Sequence, residues 1–474
     1  MWQTVRLAVR PRDSASTDEL PNLTLLEASE LLRSKVVSPV ALTEACLARI
    51  EALNPKLNAF ITITADTALE QARQAESEIQ QNHWRGPLHG IPIALKDLFD
   101  TAGVRTTAGS QLFLNRVPQA DAEAVRRLKL AGAVFLGKLN LHEFAYGGSG
   151  IISYFGPARN PANPELITGG SSSGSAAAVA AGMCYAALGT DTAGSIRLPA
   201  AYCGVVGLKP TFDLVSTEGV IPLAWSYDHV GPLSRTVADA AAVLQVIADD
   251  SQVSFRAPAR NSSRTPDYTA ALTQKTSTLR LGIARSYFFA DLHPEVAVRV
   301  EEAISVLTRL TAELREISLP IDTDRTVANA EEWCYHEKYV AESPELYQPE
   351  TLRRLRAGAN ISAGSYITKK RELDRIRREN VEVFSEVDLI ITPTSPIPAD
   401  YISELQAKPE GLRPRELLML RNTRPLNVWG FPTISLPCGR TSDGRFVGLQ
   451  ISGRPWDEAT VLALAHAYER TRSG

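Results

Sequence analysis

The apolar positions of the chain fall into stretches with a period near 3.6 and short continuous runs. Ser38-Pro39 offers an N-cap and a first-turn proline, and Leu42, Cys46, Ile50 and Leu53 follow at helical spacing, which predicts a helix closing at Asn54-Pro55. Ala65, Leu69, Ala72, Ala75 and Ile79 repeat the pattern and predict a second helix ending near Gln80. Residues 1–80 therefore read as a helical layer ahead of any sheet. From His89 the texture changes: GIPIALKD is a short apolar run, a strand with Lys96 and Asp97 at its end. A helix-like stretch from Asp121 to Leu130 precedes AVFLGK from Ala133, a buried strand. Arg235 to Ala248 reads as a helix, Ser251 to Pro266 as a polar surface connection, LRLGIARS from Leu279 as a strand, and Pro294 to Leu314 as a helix. Segments beginning at Val387, Thr433 and Phe446 read as three buried strands. Strands alternating with helices predict an α/β fold with a mixed sheet covered on both faces.

One stretch fits neither period. Residues 169–199 read GGSSSGSAAAVAAGMCYAALGTDTAGSIRLP. A Gly/Ser loop enters an Ala-rich segment that asks to be a buried helix, and a second loop of small residues follows. Paired glycines permit backbone conformations that other residues resist. A phosphate cradle would use such a loop at a helix N-terminus, but GxxxxGK[ST] is absent and no lysine follows. In the second loop, Ala193 and Gly194 let successive N–H groups point one way, as a developing oxyanion requires, and Ser195 stands beside them. A serine with such donors still needs a base. Neither loop holds a histidine, so the base is a distant histidine or a lysine. Lys96 is read either as a solvated strand-end lysine or as one enclosed by Ile91, Ile93 and Leu95, its pKa lowered by desolvation. His142, in NLHEFAYGGSG, reads more simply as a structural histidine, and Tyr146 with Gly147 and Gly148 as a pocket wall.

Composition narrows the classes. For 474 residues the length prior of about 150 per domain suggests three, though large α/β enzymes often stay one unit. With 44% apolar and 22% charged residues the chain has ordinary globular values, and its net charge of −3 gives no pull toward nucleic acid. Lys369, Lys370, Arg371, Arg375, Arg377 and Arg378 alternate with acidic residues, which predicts a solvated helix face. Five dispersed cysteines without a CxxC pair predict neither disulfides nor a metal site. The N-terminus lacks the apolar core of a signal peptide and no run is long enough to cross a membrane, so a cytoplasmic protein without a membrane partner is expected.

The Gly/Ser cluster, the D-x-[GA]-x-S at Asp191 to Ser195, the SIRxP at its end and the spacing of Lys96, Ser171 and Ser195 resemble the amidase signature family of serine hydrolases. The resemblance extends from about Leu23 to GLQISGRPWDE near the C-terminus. It implies one amidase-signature domain over 1–474: a helical layer (1–80), a catalytic core (81–250), and a variable substrate region with C-terminal strands (251–474). It implies Ser195 as nucleophile, Ser171 as a bridging serine after a cis peptide bond, Lys96 as base, and the N–H groups of Thr192, Ala193, Gly194 and Ser195 as the oxyanion hole. Ser172, Asp191 and Arg197 match supporting positions. Ser173, Ala193 and Thr168 depart from the commoner Gly, Gly and Pro. The implied substrate pocket lies before the Gly/Ser loop and in C-terminal elements: Ala145, Tyr146 and Gly147, with Trp333, Tyr335 or Trp429 suggesting an aryl or apolar acyl group.

The resulting expectation is a free-standing amidase without cofactor or metal, acting on a small-molecule amide, with no nucleic-acid partner and with a homodimer left open. Two alternatives are the glutaminase A subunit of a tRNA-dependent amidotransferase and a non-catalytic binding protein. SIRLP in place of that subunit's SIRQP, and EFAYGGSG in place of EFAMGSS, favour the lone hydrolase; retention of Lys96, Ser171 and Ser195 disfavours a binding protein.

Overall fold

The computed structural model describes residues 19–248 and 266–472. Most of the N-terminal lead-in and the polar connection from Ser251 lie outside the described residues. Among the described residues thirteen strands are formed: β1 (Phe60–Ile63), β2 (Pro92–Lys96), β3 (Val134–Leu139), β4 (Arg159–Asn160), β5 (Asn163–Ile167), β6 (Ala186–Asp191), β7 (Val206–Lys209), β8 (His229–Ser234), β9 (Arg280–Ile283), β10 (Glu313–Glu316), β11 (Leu389–Pro393), β12 (Thr433–Arg440) and β13 (Phe446–Gly453). Eleven of them build one sheet in the order β1-β3-β2-β6-β8-β7-β12-β13-β11-β9-β10, while β4 and β5 form a separate ribbon. The sheet is mixed: β3, β2 and β6 run parallel, β6 to β8 and the following pairs as far as β11 run antiparallel, and β11, β9 and β10 are parallel again. Helices flank it.

The N-terminal helices start on local signals. Thr24 and Glu27 form a reciprocal capping box before the helix Leu25–Arg33. Ser38 caps the helix Pro39–Leu57, which runs past the expected stop: Pro55 sits in its last turn, and Asn58, left-handed at φ 49°, ends it. A proline near an exposed helix end forfeits only one hydrogen bond, too little to break the helix earlier. The helix Ala65–Gln80 lies where its apolar spacing places it. Strand β1 corrects the reading of residues 1–80 as purely helical. Only four residues long, it has no room for a period, and pairing with β3 creates it.

The Ala-rich segment also differs from expectation. Its helix spans only Ser173–Ala180. Gly182, at φ +68°, reverses the chain: its N–H bonds the Val179 carbonyl and the Met183 N–H bonds that of Ala178, a left-handed helix stop. Tyr185 onward then enters β6. The helix is apolar on every side because it is buried on every side, with Ala176, Ala177, Ala178 and Val179 fully enclosed. Gly174 makes the close approach feasible, since a Cβ there would lie 2.3 Å from the Ala59 carbonyl oxygen.

Further on, the helix predicted to reach Leu314 closes at Leu310, where Thr311 turns extended and β10 begins. The basic cluster lies on the helix Ala363–Glu379. Lys370–Asp374 and Arg375–Glu379 pair along its surface, but Arg377 is buried, its guanidinium 4.1 Å from the Phe212 ring centre and donating to the carbonyls of Ser226 and Val428. Among the described residues no helix is long and apolar enough to cross a membrane.

Candidate active site

The parallel pair β2 and β6 has its carboxyl ends side by side, with Leu95 opposite Leu188. Such ends are where open α/β sheets present functional groups. Here β2 delivers Lys96, and β6 delivers Thr190 and Asp191 with the loop from Thr192 to Ser195 beyond them. The helix Ser173–Ala180 packs beneath, so the Gly/Ser loop at its N-terminus meets both strand ends. The Gly170–Ser171 peptide bond is cis.

Lys96 is fully buried, and its Nζ lies 2.7 Å from both Ser171 Oγ and Thr190 Oγ1. Burial pulls its pKa down to about 7, against the opposing pull of the Asp228 and Asp191 carboxylates. The enclosed-lysine reading is thus the one the fold produces. Asp228 responds in the opposite sense: burial pushes it up to about 7, though Thr192 Oγ1 donates to it at 2.5 Å and the N–H groups of Ala224 and Leu223 also donate. Ser195 is 4% exposed, and its carbonyl accepts the Ser172 N–H at 3.1 Å. Its hydroxyl has no hydrogen bond among the described residues, so the link from Ser171 to Ser195 is not closed in this state.

The second loop is held by a buried ionic cage. Arg197 donates Nε to Asp191 Oδ2 and Nη2 to Oδ1, both at 3.0 Å. Asn427 Nδ2 donates to the same carboxylate at 2.8 Å and its Oδ1 accepts from Arg197 Nη2 at 2.6 Å, while Gln450 Oε1 accepts from Nη1 at 2.8 Å. Burial acts to raise the Asp191 pKa, but the charge and hydrogen bonds of Arg197 and the charge of Lys209 hold it well below the ordinary carboxylate range. The Asp191 carboxylate also takes the Gly194 N–H at 2.8 Å. This corrects the expected oxyanion hole: the Gly194 donor is already spent, whereas the N–H groups of Thr192, Ala193 and Ser195 carry no hydrogen bond to the described residues. Gly194 itself is required there, because φ is +134° and a Cβ would fall 2.1 Å from Thr423 Oγ1. Ser172 Oγ donates to the Thr190 carbonyl at 3.2 Å, tying the two loops together.

Two cavities border this assembly. One of about 220 Å³ touches Thr190 and Asp228 at the lysine end. The other, about 40 Å³, touches Thr192 and Ala193 and is walled by Tyr146, Gly147, Arg325, Arg413 and Arg424. Of the residues expected to line a pocket, Tyr146 and Gly147 do so. Ala145 is buried in a neighbouring apolar cluster, against which Trp333 and Tyr335 pack from outside the cavity. Trp429 is core, 1% exposed between Phe288 and Phe431. Aromatic residues scattered in a sequence go to cores more readily than to pockets. His142 is fully buried with neither ring nitrogen hydrogen-bonded, its pKa pushed down to about 3 by burial, and its ring fills the space beside Gly147.

Residues 41–462 match the family model described as Amidase. The chain belongs to the amidase family. Among its amidase-family relatives, the A subunit of glutamyl-tRNA(Gln) amidotransferase from Geotalea daltonii is 41% identical over 95% of this chain and 98% of its own, and that from Chloroflexus aurantiacus 42% identical over 95% and 97%. Of solved amidase-family structures, the peptide amidase from Stenotrophomonas maltophilia matches with TM-score 0.83 at 32% identity, covering 95% of this chain and 97% of that one. The amidotransferase A subunit from Thermotoga maritima matches with TM-score 0.73 at 32% identity over 97% and 95%. The amidase-signature fold and a family chemistry directed at C–N bonds follow. One expectation is overturned. A lone chain with a small-molecule partner and no nucleic acid conflicts with relatives whose very name carries a tRNA and marks them as one subunit of several. The differences in SIRLP and EFAYGGSG, weighed as evidence for a lone hydrolase, do not outweigh identity at this level across nearly the whole amidase chain.

Thr190, Asp228, Asn427 and Gln450 escaped the sequence reading. Thr190 adjoins the recognised DTAGS, and its hydroxyl was the available signal; the other three have none in sequence, because strand order alone brings them here.

Proposed function

We propose that the chain cleaves a carboxamide through an acyl-enzyme on Ser195 and serves as the ammonia-releasing A subunit of a glutamyl-tRNA(Gln) amidotransferase. The observation that carries the chemistry is the 2.7 Å line from a buried, pKa-lowered Lys96 to Ser171 Oγ at the foot of the Ser195 loop. Identity of 41–42% over 95% of the chain to named A subunits supports the role.

Neutral Lys96 accepts the Ser171 proton while Ser171 accepts that of Ser195, whose Oγ bonds the amide carbon. The oxyanion is received by the N–H groups of Thr192, Ala193 and Ser195, fixed in place by the Asp191–Arg197 cage. Ser171 returns a proton to the departing nitrogen, the C–N bond breaks, and ammonia leaves an ester on Ser195. Water then attacks the ester by the same relay in reverse, releasing the carboxylic acid. All five cysteines are unpaired, which suits a reducing cytoplasm.

A second reading has its own support: the likeness to peptide amidase is closer in shape than that to the amidotransferase chain, TM-score 0.83 against 0.73. It is a hydrolase that releases its ammonia to water. The deciding experiment depletes the amidotransferase A subunit in a bacterial strain, supplies this chain, and follows growth, with ammonia release from an amide panel measured on the purified protein. Restored growth supports the amidotransferase role. Amide hydrolysis without restored growth removes that role and keeps the chemistry. Absence of both, with no labelling of Ser195 by a fluorophosphonate, sinks the acyl-enzyme itself.

A further inference from the structure

The peptide unit that joins Asp191 to Thr192 is gripped by its carbonyl. Strand β8 runs antiparallel to β6 with His229 opposite Asp191, so the chain entering β8 lies against the start of the loop from Thr192 to Ser195. His229 Nδ1 stands 3.1 Å from the Asp191 carbonyl oxygen and 2.6 Å from that of Tyr227. Both partners are acceptors, so Nδ1 carries the ring proton and shares it between them. Nε2 has no hydrogen bond among the described residues. Burial, and then the Lys209 charge, hold the imidazole pKa far below its ordinary value against the opposing pull of the Asp191 carboxylate, so the ring is neutral. The Phe212 ring packs steeply against it, 5.4 Å between centres. A second donor, Asn427 Nδ2, reaches the same Asp191 carbonyl at 3.0 Å.

A carbonyl oxygen has two lone pairs, and both are engaged here. The peptide is trans, so its N–H points opposite to its C=O. The Thr192 N–H is thereby turned away from His229 and Asn427, and it carries no hydrogen bond to the described residues. The side chain of Thr192 is tied down separately: its hydroxyl donates to Asp228 Oδ1 at 2.5 Å, while Oδ2 of that carboxylate takes the Leu223 and Ala224 N–H groups at 2.9 and 3.1 Å. With the preceding carbonyl and the side chain both fixed, the N–H cannot swing without breaking a buried hydrogen bond. A donor aimed in advance needs no reorganisation when charge develops on the oxygen it faces.

We infer that His229 is a positioning residue of this site, aiming the Thr192 N–H at the oxyanion through the Asp191 carbonyl, with Asp228 holding the Thr192 side chain. The inference rests on the amide-cleaving reading of Ser195 and adds to it a residue that touches no reacting atom. An interaction used only as charge develops on the oxygen is felt in kcat and hardly in KM. Because the ring is neutral, deleting it takes no charge from the surroundings of Lys96. The acid limb of the pH profile therefore keeps its midpoint while its plateau drops.

The test measures kcat and KM for glutamine and for an amidated dipeptide, with the rate at which a fluorophosphonate labels Ser195 as a readout that needs no substrate. His229→Phe keeps a ring and deletes the N–H. It should lower kcat and the labelling rate by about tenfold or more, leave KM within about twofold, and leave the midpoint of the acid limb in place. His229→Asn puts an amide N–H where Nδ1–H stood and should recover most of the loss. His229→Gln puts one at the place of Nε2 and should not. If His229→Phe fails to fold, as read by its urea midpoint, the Asn and Gln variants decide: Asn faster by about tenfold upholds the inference, and equal rates overturn it. Full kcat in His229→Phe, a loss carried by KM alone, or a displaced acid limb also overturns it and leaves the amide-cleaving reading intact. Wild-type protein that neither cleaves an amide nor takes the label brings down that reading, and the inference with it.

Discussion

Protonation of a single buried amine sets the working pH of the proposed relay. Below about 7 Lys96 is charged and has no lone pair for the Ser171 proton; above it the amine is free. kcat/KM should therefore climb about tenfold per pH unit on the acid side and level off above neutrality, a profile that a stopped assay from pH 5 to 9 would trace. A flat profile would point to another base. Thr190 sharpens the expectation, because its hydroxyl accepts from Lys96 Nζ at 2.7 Å and so favours the ammonium form. Thr190→Val should move the acid limb to lower pH, whereas a merely structural threonine would change the height of the curve and leave its midpoint. Lys96→Ala should lower kcat/KM by about a hundredfold or more at every pH. These residues were unequally legible. Ser171 and Ser195 announce themselves through glycines and hydroxyls that no core would choose. Lys96 in isolation reads as a strand end, since the chain cannot say which lysine the sheet will bury. Arg325, Arg354 and Arg413, far apart in sequence, gave no sign of converging on Tyr146.

The proposed nucleophile loop is an element whose shape is imposed from outside. Its own residues are small and carry little packing; Asp191 and Arg197 lock it, and Asn427 and Gln450 hold the lock. Replacing Arg197 by Met would leave Asp191 buried among its remaining donors without its ion-pair partner, a change of about 3–5 kcal/mol that would appear as a lowered denaturant midpoint together with lost activity. Gly194→Ala acts differently. The added carbon must displace the Thr423 hydroxyl and occupy a left-handed conformation, so the free N–H groups shift; with displacements near 1 Å costing about a hundredfold in rate, the variant should fold yet lose at least that much kcat. Retention of normal kcat would mean that the loop is not the oxyanion site. The same dependence explains where the sequence was opaque at this scale. Helices with caps, such as Pro39–Leu57, and long apolar strands were readable from local signals. β1 and the early end of the helix Ser173–Ala180 were not, because β1 exists by pairing with β3 and the helix stop depends on one glycine inside an alanine run.

Across the whole molecule, buried cations tie stability to pH. Lys96, at about 7, and Lys138, at about 8, both lie below the 10.5 of a solvated lysine, burial being the chief cause. Between pH 7 and 9 the unfolded chain binds protons that the native state has shed, so stability rises with pH across that window. Above it, buried Cys46 and Cys438, pushed from 9.0 up to about 12, hold protons that the unfolded chain loses and reverse the slope. Urea midpoints at pH 7 and pH 9 test this, with the rise reduced in Lys138→Met. The eleven-stranded sheet has one more consequence. Every atom proposed for bond-making is encoded by residue 195, yet the support for the Asp191 loop comes from Asn427 and, on β13, Gln450. During synthesis an N-terminal stretch emerges and begins to fold before the rest exists. A nascent chain on the ribosome would thus carry every proposed reactive group before Asn427 and Gln450 exist to hold the Asp191–Arg197 pair in place.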